Sequence, residues 1–471
     1  MGILHGKQPT RVWKYFEELC AIPHGSGNTK RISDYCVAFA KAHNLRYTQD
    51  AMQNVIIWKD ASNGYESHPP VIVQGHLDMV CEKEPDSDFD FEADGLRLQT
   101  QGDWLCADGT TLGADDGIAV AMALAILEDT KLAHPPLEVV FTVDEEIGLL
   151  GAAGLDTRAL QARRLLNLDS EEEGVLTIGC AGGATAHITL PISHTPCDWP
   201  CYRITVSGLI GGHSGAEIHK GRQNANILMG KLLAGLPFAW RLVDIAGGQK
   251  DNAIPRHAVC TIAAVENPTA NAAAFADVHR IPADPDLQVS VTPVPASATA
   301  VDEAGSATVA AFLAQAKNGV QAMSRQLEGL VETSLNLGVL NTTPTAVCAT
   351  FSVRSSLNDS KDALLDELRQ TAARIGANYA ESGHYPAWEP MPYSPLQQIM
   401  SAVAEKHYGQ KPLITAIHAG LECGLFSDKL PELDAVSFGP NMQNIHTTEE
   451  RISLSSVERT YAYLLAVLQA L

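Results

Sequence analysis

The sequence contains no apolar run of about 18 or more residues, so it offers no membrane-spanning helix. Its opening residues, MGILHGKQPTRVWKYFEELC, lack the basic start, apolar stretch and small-residue cleavage site of a secretory leader. Gly2 is present, but Gly6 stands where a myristoylation signal wants Ser or Thr. Positive charge is scarce. There are 33 Lys and Arg against 55 Asp and Glu, a net charge of −22, and such a field does not attract nucleic acid. Closely spaced cysteine pairs are almost missing. Of ten cysteines only Cys197 and Cys201 are near neighbours, as C-x-x-x-C, and no second pair follows at zinc-finger spacing. Free thiols in a reducing cytoplasm account for them. No G-x-S-x-G falls where a strand meets a helix, which excludes a serine nucleophile elbow. Short-period repeats and low-complexity tracts are also lacking.

What is present is a chain of 471 residues, 45% hydrophobic and 19% charged, enough for two or three domains with a substantial core. Up to about residue 180, strand-like runs alternate with helix-like ones. Val71-Ile72-Val73 stops at Gly75-His76, Gly117 to Thr130 reads as a buried helix, and Leu137 to Val143 and Leu165 to Leu168 read as strands. That order predicts an α/β domain with a mainly parallel sheet flanked by helices. From about residue 185 the texture becomes α+β. Strands are expected at Ala186–Leu190, Tyr202–Ser207 and Thr345–Val353, and helices at Asn224–Leu233 and Lys361–Ile375. Ile281 to Ala300, rich in Pro, Ala and Asp, reads as a surface connection. After Pro386, Pro390, Pro392 and Pro395 the α/β texture returns. The expected organisation is one domain of residues 1–184 and 390–471, interrupted by an inserted α+β domain of 185–389.

Five places combine a strand end with acids or histidine: Gln74-Gly75-His76-Leu77-Asp78, Gly113-Ala114-Asp115-Asp116-Gly117, Asp144-Glu145-Glu146-Ile147-Gly148, Asn167-Leu168-Asp169-Ser170 and Asn444-Ile445-His446-Thr447. Imidazole and carboxylate suit zinc and similar divalent ions. A site for two ions needs about six ligand positions, and a carboxylate that bridges counts twice. Each place has a plainer reading. A lone His after a strand is commonly a hydrogen-bonded structural residue, although Asp78 is spaced to return to the His76 ring. Asp115-Asp116 could cap the following helix, and chemistry alone does not say which of the two would bridge. Glu145-Glu146 would ordinarily be a solvated pair, but they follow an apolar strand, where unpaired carboxylates are costly without a cation. Glu171-Glu172-Glu173 read as solvated loop acids.

Together the motifs HLDMV (76–80), LGADDG (112–117), DEEIG (144–148), NLDSEEEG (167–174), GGHSG (211–215), HAGLECG (418–424) and NIHTTEERI (444–452) resemble the M20 family of metallopeptidases, in the family's order across nearly the whole chain. DEEIGLLGA and GGHSGAEIHKGRQNAN look most like its aminoacyl-histidine dipeptidase branch. The resemblance implies a two-domain fold with an inserted lid. It implies that His76 and Asp169 each bind one metal, that Asp115 bridges it to a second, and that Glu146 and His446 complete the ligands of that second metal. Asp78 would orient His76, and Glu145 would be the general base. His213, in the insert, would stabilise the oxyanion from its own or a partner subunit, which leaves a homodimer open. Asn252 and Arg354 match positions that hold substrate, and His418 and Glu422 are placed on a loop of the catalytic domain near it.

The implied activity is metal-dependent hydrolysis of dipeptides, Xaa-His and broader, in the cytoplasm, with two divalent ions, zinc first and cobalt or manganese next. An M20 deacylase or tripeptidase acting on another small amide is the nearest alternative. A metal carrier would leave Glu145 without a task, and a retired enzyme fold would not need the ligands, the base and His213 together. Short peptides are the expected partners, with neither nucleic acid nor membrane.

Overall fold

The computed structural model describes residues 2–471. The chain forms two compact units. One comprises the residues up to Cys180 together with Trp388–Ala416 and Leu421–Leu471; the other comprises Ala181–Ala387 with Ile417–Gly420. The units part at 180/181 and 387/388 rather than at 184/185 and 389/390, and the short stretch that carries His418 belongs to the second unit, not to the first where the sequence reading placed it.

The first unit is built on an eight-stranded sheet. In spatial order its strands are Arg46–Gln49, Val55–Lys59, Leu137–Thr142, Val71–His76, Arg164–Asn167, Asp434–Ser437, Val175–Cys180 and Leu413–Ile417. Val71–His76 runs parallel to both Leu137–Thr142 and Arg164–Asn167, and Asp434–Ser437 runs parallel to Arg164–Asn167. Strands nearer the edges pair antiparallel. The central strands Val71–His76 and Leu137–Thr142 are buried at every residue, as strands covered on both faces must be. Helix Ala114–Glu128 lies against Val71–His76 and is itself buried almost throughout, which explains its lack of a polar stripe. Helix Thr10–Cys20 packs on it through Trp13, Phe16 and Leu19. Gly75 is required by this packing: a Cβ there would lie 2.6 Å from Asp116 Oδ2 and 2.7 Å from the Ala119 methyl.

The second unit is antiparallel. Its main path runs Gln288–Val294, Cys201–Ser207, Ala258–Ala264, Trp240–Gly247, Val331–Thr342, Ala346–Ser355, Gly182–Pro191 and Asn378–Tyr385, with Gly319–Met323 also paired to Val331–Thr342. Helices Ala225–Ala234, Glu303–Gln315 and Asn358–Arg374 supply the other layer of a core that includes Leu228, Leu313, Phe351 and Leu365. One expectation is corrected here. Ile281 to Ala300 is not mere surface connection, because Gln288–Val294 forms the edge strand paired with Cys201–Ser207, and Thr299–Val301 pairs with His194–Pro196. An edge strand tolerates the Pro293 that argued against a strand, since its outer side needs no ladder donors.

Candidate functional site

The parallel strands of the first unit end together, and the loops beyond their carboxyl ends carry the acidic motifs, as expected of ligand sites in α/β sheets. His76 closes strand Val71–His76, Glu145 and Glu146 follow Leu137–Thr142, and Asp169 follows Arg164–Asn167. Asp115 and Asp116 open helix Ala114–Glu128 with non-helical backbone, Asp115 at φ −81°, ψ 104° and Asp116 at φ −116°, ψ 27°. Gly113 precedes them at φ +66°, where a side chain would be strained. His446 arrives from a loop more than three hundred residues later.

Asp115 occupies the middle. Its Oδ1 lies 3.2 Å from His76 Nε2, and its Oδ2 lies 3.2 Å from His446 Nε2. His446 Nε2 is also 2.9 Å from Glu146 Oε1. Three groupings each bring possible ligand atoms within 4.8 Å of one another: His76 with Asp116 and Asp169, His76 with Glu145 and Glu146, and Asp115 with Glu146 and His446. Asp116, which the sequence left as a possible cap, is therefore part of the cluster. Its Oδ2 accepts the His76 backbone N–H at 3.2 Å, while its Oδ1 is buried without a partner.

The contacts of Asp78 differ from the simple pairing that H-x-D spacing suggests. His76 Nδ1 lies 3.0 Å from the Asp78 carbonyl oxygen and 3.5 Å from its carboxylate. The carboxylate is occupied by the amides of Glu145 (3.0 Å) and Glu146 (3.3 Å) and by the Ser26 hydroxyl (2.8 Å). Asp78 thus sets the turn that carries both glutamates, a contact no local sequence signal reveals. Glu422 is likewise not on a loop. It opens helix Glu422–Lys429, is fully buried, and accepts bonds from Gln74 Nε2 (2.5 Å) and Thr142 Oγ1 (2.6 Å), leaving Oε1 without a partner. Of the loop acids, Glu171 and Glu172 are exposed, but Glu173 is gripped by Arg459 at 2.7 and 2.6 Å and is not the solvated residue expected.

Electrostatics explain why such a set would take up cations. Burial, followed by the Asp115 charge, pushes the Asp169 carboxyl well above its ordinary range. Burial and Asp169 do the same to Asp116, and burial and Asp169 to Glu145. Asp115 is the exception. Burial opposes its ionisation, but the His446 and His76 rings hold its carboxyl well below the usual value. The same contacts outweigh burial and lift His446 to about 11. Crowded carboxylates cannot all remain charged in a buried site without compensation. Divalent cations supply it, and the oxygen and imidazole donors, with an unpartnered Asp116 oxygen among them, fit such ions.

The second unit holds the other candidates. His213 Nδ1 accepts the amides of Ala216 (3.0 Å) and Gly215 (3.3 Å), which places the ring proton of the neutral tautomer on Nε2. Arg354 Nη1 donates to the Tyr385 hydroxyl at 2.9 Å, and its buried Nε has no partner. Ser334 faces Arg354 across the strand pair, and His418 Nε2 lies 2.7 Å from the Ser334 hydroxyl. Burial, then the Arg354 charge, lowers the His418 imidazole to about 4. Asn252 is exposed in the turn before Ala253–Ile254, a turn held by Asn336 Nδ2 donating to the carbonyls of Asp251 (2.8 Å) and Ala253 (2.9 Å). Ser334, Tyr385 and Asn336 lie outside every motif and could be found only from the fold.

A two-unit α/β fold whose strand ends gather carboxylates and imidazoles defines a metallopeptidase class. The model of peptidase family M20/M25/M40 matches residues 72–470, and the chain belongs to that family. It is 37% identical over an alignment of 480 residues to the cytosol non-specific dipeptidase of Escherichia coli (strain K12), covering 100% of this chain and 99% of that one. It also superposes on the crystal structure of aminoacylhistidine dipeptidase from Vibrio alginolyticus, with a TM-score of 0.90 and 36% identity over 100% of this chain and 98% of that one. Aminopeptidase PepT from Bacillus cereus shares the fold at 16% identity, with a TM-score of 0.58 and coverage of 98% and 99%.

Proposed function

We propose that the protein is a cytoplasmic dipeptidase that hydrolyses Xaa-His and other dipeptides at a centre of two divalent ions, zinc first among the candidates. The observation that carries this reading is the position of Asp115, one oxygen 3.2 Å from His76 Nε2 and the other 3.2 Å from His446 Nε2. Full-length likeness to two proteins named as dipeptidases supports the substrate class. His76 and Asp169 would hold one ion, Glu146 and His446 the other, and Asp115 would serve both. When bound, such ions supply Lewis acidity and a nucleophilic water at neutral pH.

The remaining work falls to the protein. Glu145 takes the water's proton and returns it to the leaving amine, a task open to a carboxylate that stands beside the ligands without being needed as one. Asp78 holds the turn that carries Glu145 and Glu146 through their backbone amides, so that turn can present one as base and the other as ligand. His213, with its proton on Nε2, donates to the developing oxyanion. Arg354, Asn252 and His418 bind substrate, with the Arg354 guanidinium suited to a C-terminal carboxylate. Glu422, buried on Gln74 and Thr142, would act behind the strand that ends in His76 rather than on substrate directly.

A panel assay on metal-stripped protein, resupplied with zinc, cobalt or manganese singly, tests the reading. Hydrolysis of Ala-His and other dipeptides that disappears on stripping and returns with metal is expected. Turnover of N-acyl amino acids alone would replace the dipeptidase by a deacylase, and full activity without metal would refute the mechanism.

A further inference from the structure

Glu450 lies four residues beyond His446 and has no part in the chemistry above. It is only 2% exposed. Its Oε2 accepts the amides of Leu112 (2.7 Å) and Gly113 (3.1 Å), and its Oε1 those of Ala114 (2.8 Å) and Asp115 (3.4 Å). Four consecutive N–H groups, the last that of Asp115 itself, thus converge on one carboxylate. They belong to the start of a buried helix, where amides have no intrahelical partner and a negative charge is favoured.

The other end of Glu450 secures a strained turn. Asn444 and His446 adopt left-handed backbone, φ 54° and 62°, a region that residues other than glycine enter at a cost. Such a conformation persists only when its surroundings over-determine it. Thr447 Oγ1 donates to the Asn444 carbonyl (2.7 Å), and the Glu450 amide donates to the Thr447 carbonyl (3.1 Å). The Glu450 side chain then ties this turn to the loop of Asp115, 335 residues away in sequence.

We propose that Glu450 is a positioning residue that holds the Asp115 loop and the His446 turn in register for cation binding. The proposal rests on the metal reading of the centre. Charge and shape are both needed. In Glu450→Gln the amide oxygen can serve two of the four N–H groups, while its NH2 meets the other two donor to donor.

The test uses zinc alone as probe, on metal-stripped wild type and E450Q, by chelator competition, with thermal unfolding of the metal-free samples alongside. E450Q should bind zinc on the order of 10–100-fold more weakly, as groups that orient metal ligands typically do when lost, and should regain turnover with dipeptide at saturating zinc. Wild-type zinc affinity in a folded E450Q overturns the inference, whatever happens to stability. Should E450Q fail to fold without metal, it and E450D, which keeps the charge one methylene short, are titrated with zinc. Folding that depends on zinc upholds the positioning role. A chain that stays unfolded at every zinc concentration makes Glu450 a general core residue and overturns it. A wild-type protein that takes up neither zinc nor cobalt nor manganese would sink the reading of the centre itself, and this inference with it.

Discussion

The two units concentrate opposite kinds of chemistry. At the strand ends of the first, Asp115, Asp116, Glu145, Glu146 and Asp169 crowd around two imidazoles. In the second, the candidate groups are His213, Arg354 and His418, set among the neutral Ser334, Tyr385 and Asn252. Burial acts on both, in opposite directions. It drives the Asp169 and Glu145 carboxyls up and the His418 imidazole down, because each charged form loses its hydration. One set is therefore complementary to cations, whereas the other supplies neutral donors and one permanent cation suited to an anionic group. Under the proposed function the first set would serve the metal-activated water, and the second would meet anionic groups of the substrate.

The largest effect should come from removing the base within the acidic set. Glu145→Gln should retain bound metal yet lose about 100- to 10,000-fold in rate, the range for general acid–base catalysis. His76→Ala should lose the metal as well. Metal content and turnover measured on the same samples separate the two, and near-normal turnover by E145Q would remove Glu145 from the chemistry.

A smaller loss is expected in the second unit. His213→Ala should keep its metal and fold but turn over about 100- to 1,000-fold more slowly, with a lesser change in KM, because an oxyanion donor acts mainly in the transition state. Wild-type kcat in the metal-loaded variant would leave the second unit without a catalytic group.

The smallest effect concerns stability. The His418 ring protonates at about 4 in the folded protein and near 6.5 in an unfolded chain. The unfolded state therefore takes up the proton first, so the contribution of neutral His418 is complete above pH 6.5 and is lost as pH falls toward 4. That loss amounts to as much as about 3 kcal/mol. His418→Gln should flatten this part of the stability curve, read by urea unfolding at pH 7 and pH 4.5. Parallel curves for the two proteins would show that His418 is not held neutral by burial.

Much of the site was legible because its residues follow strands that announce themselves. Leu137–Thr142 is an apolar β-branched run, so the acids after it must sit at a sheet end. The edge strand Gln288–Val294 was missed because its pairing partner is distant and Pro293 mimics a loop. Glu173 was misread because Arg459, which holds it, is 286 residues away. His418 groups with the second unit although its neighbours in sequence belong to the first, because the four residues between strand Leu413–Ile417 and helix Glu422–Lys429 carry no signal of which core they join.

By itself, then, the sequence determined which residue types end which strands, since periodicity is written in neighbouring residues, while the order of motifs from HLDMV to NIHTTEERI carried the resemblance to the metallopeptidase family. Only the tertiary structure decided that Asp115 lies between two imidazoles, that Asp78 sets the glutamate turn, and that Glu450 gathers four amides of a distant loop. Those are contacts across tens to hundreds of residues. They are fixed by packing and by the need to satisfy buried polar groups, neither of which acts on a chain before it has folded.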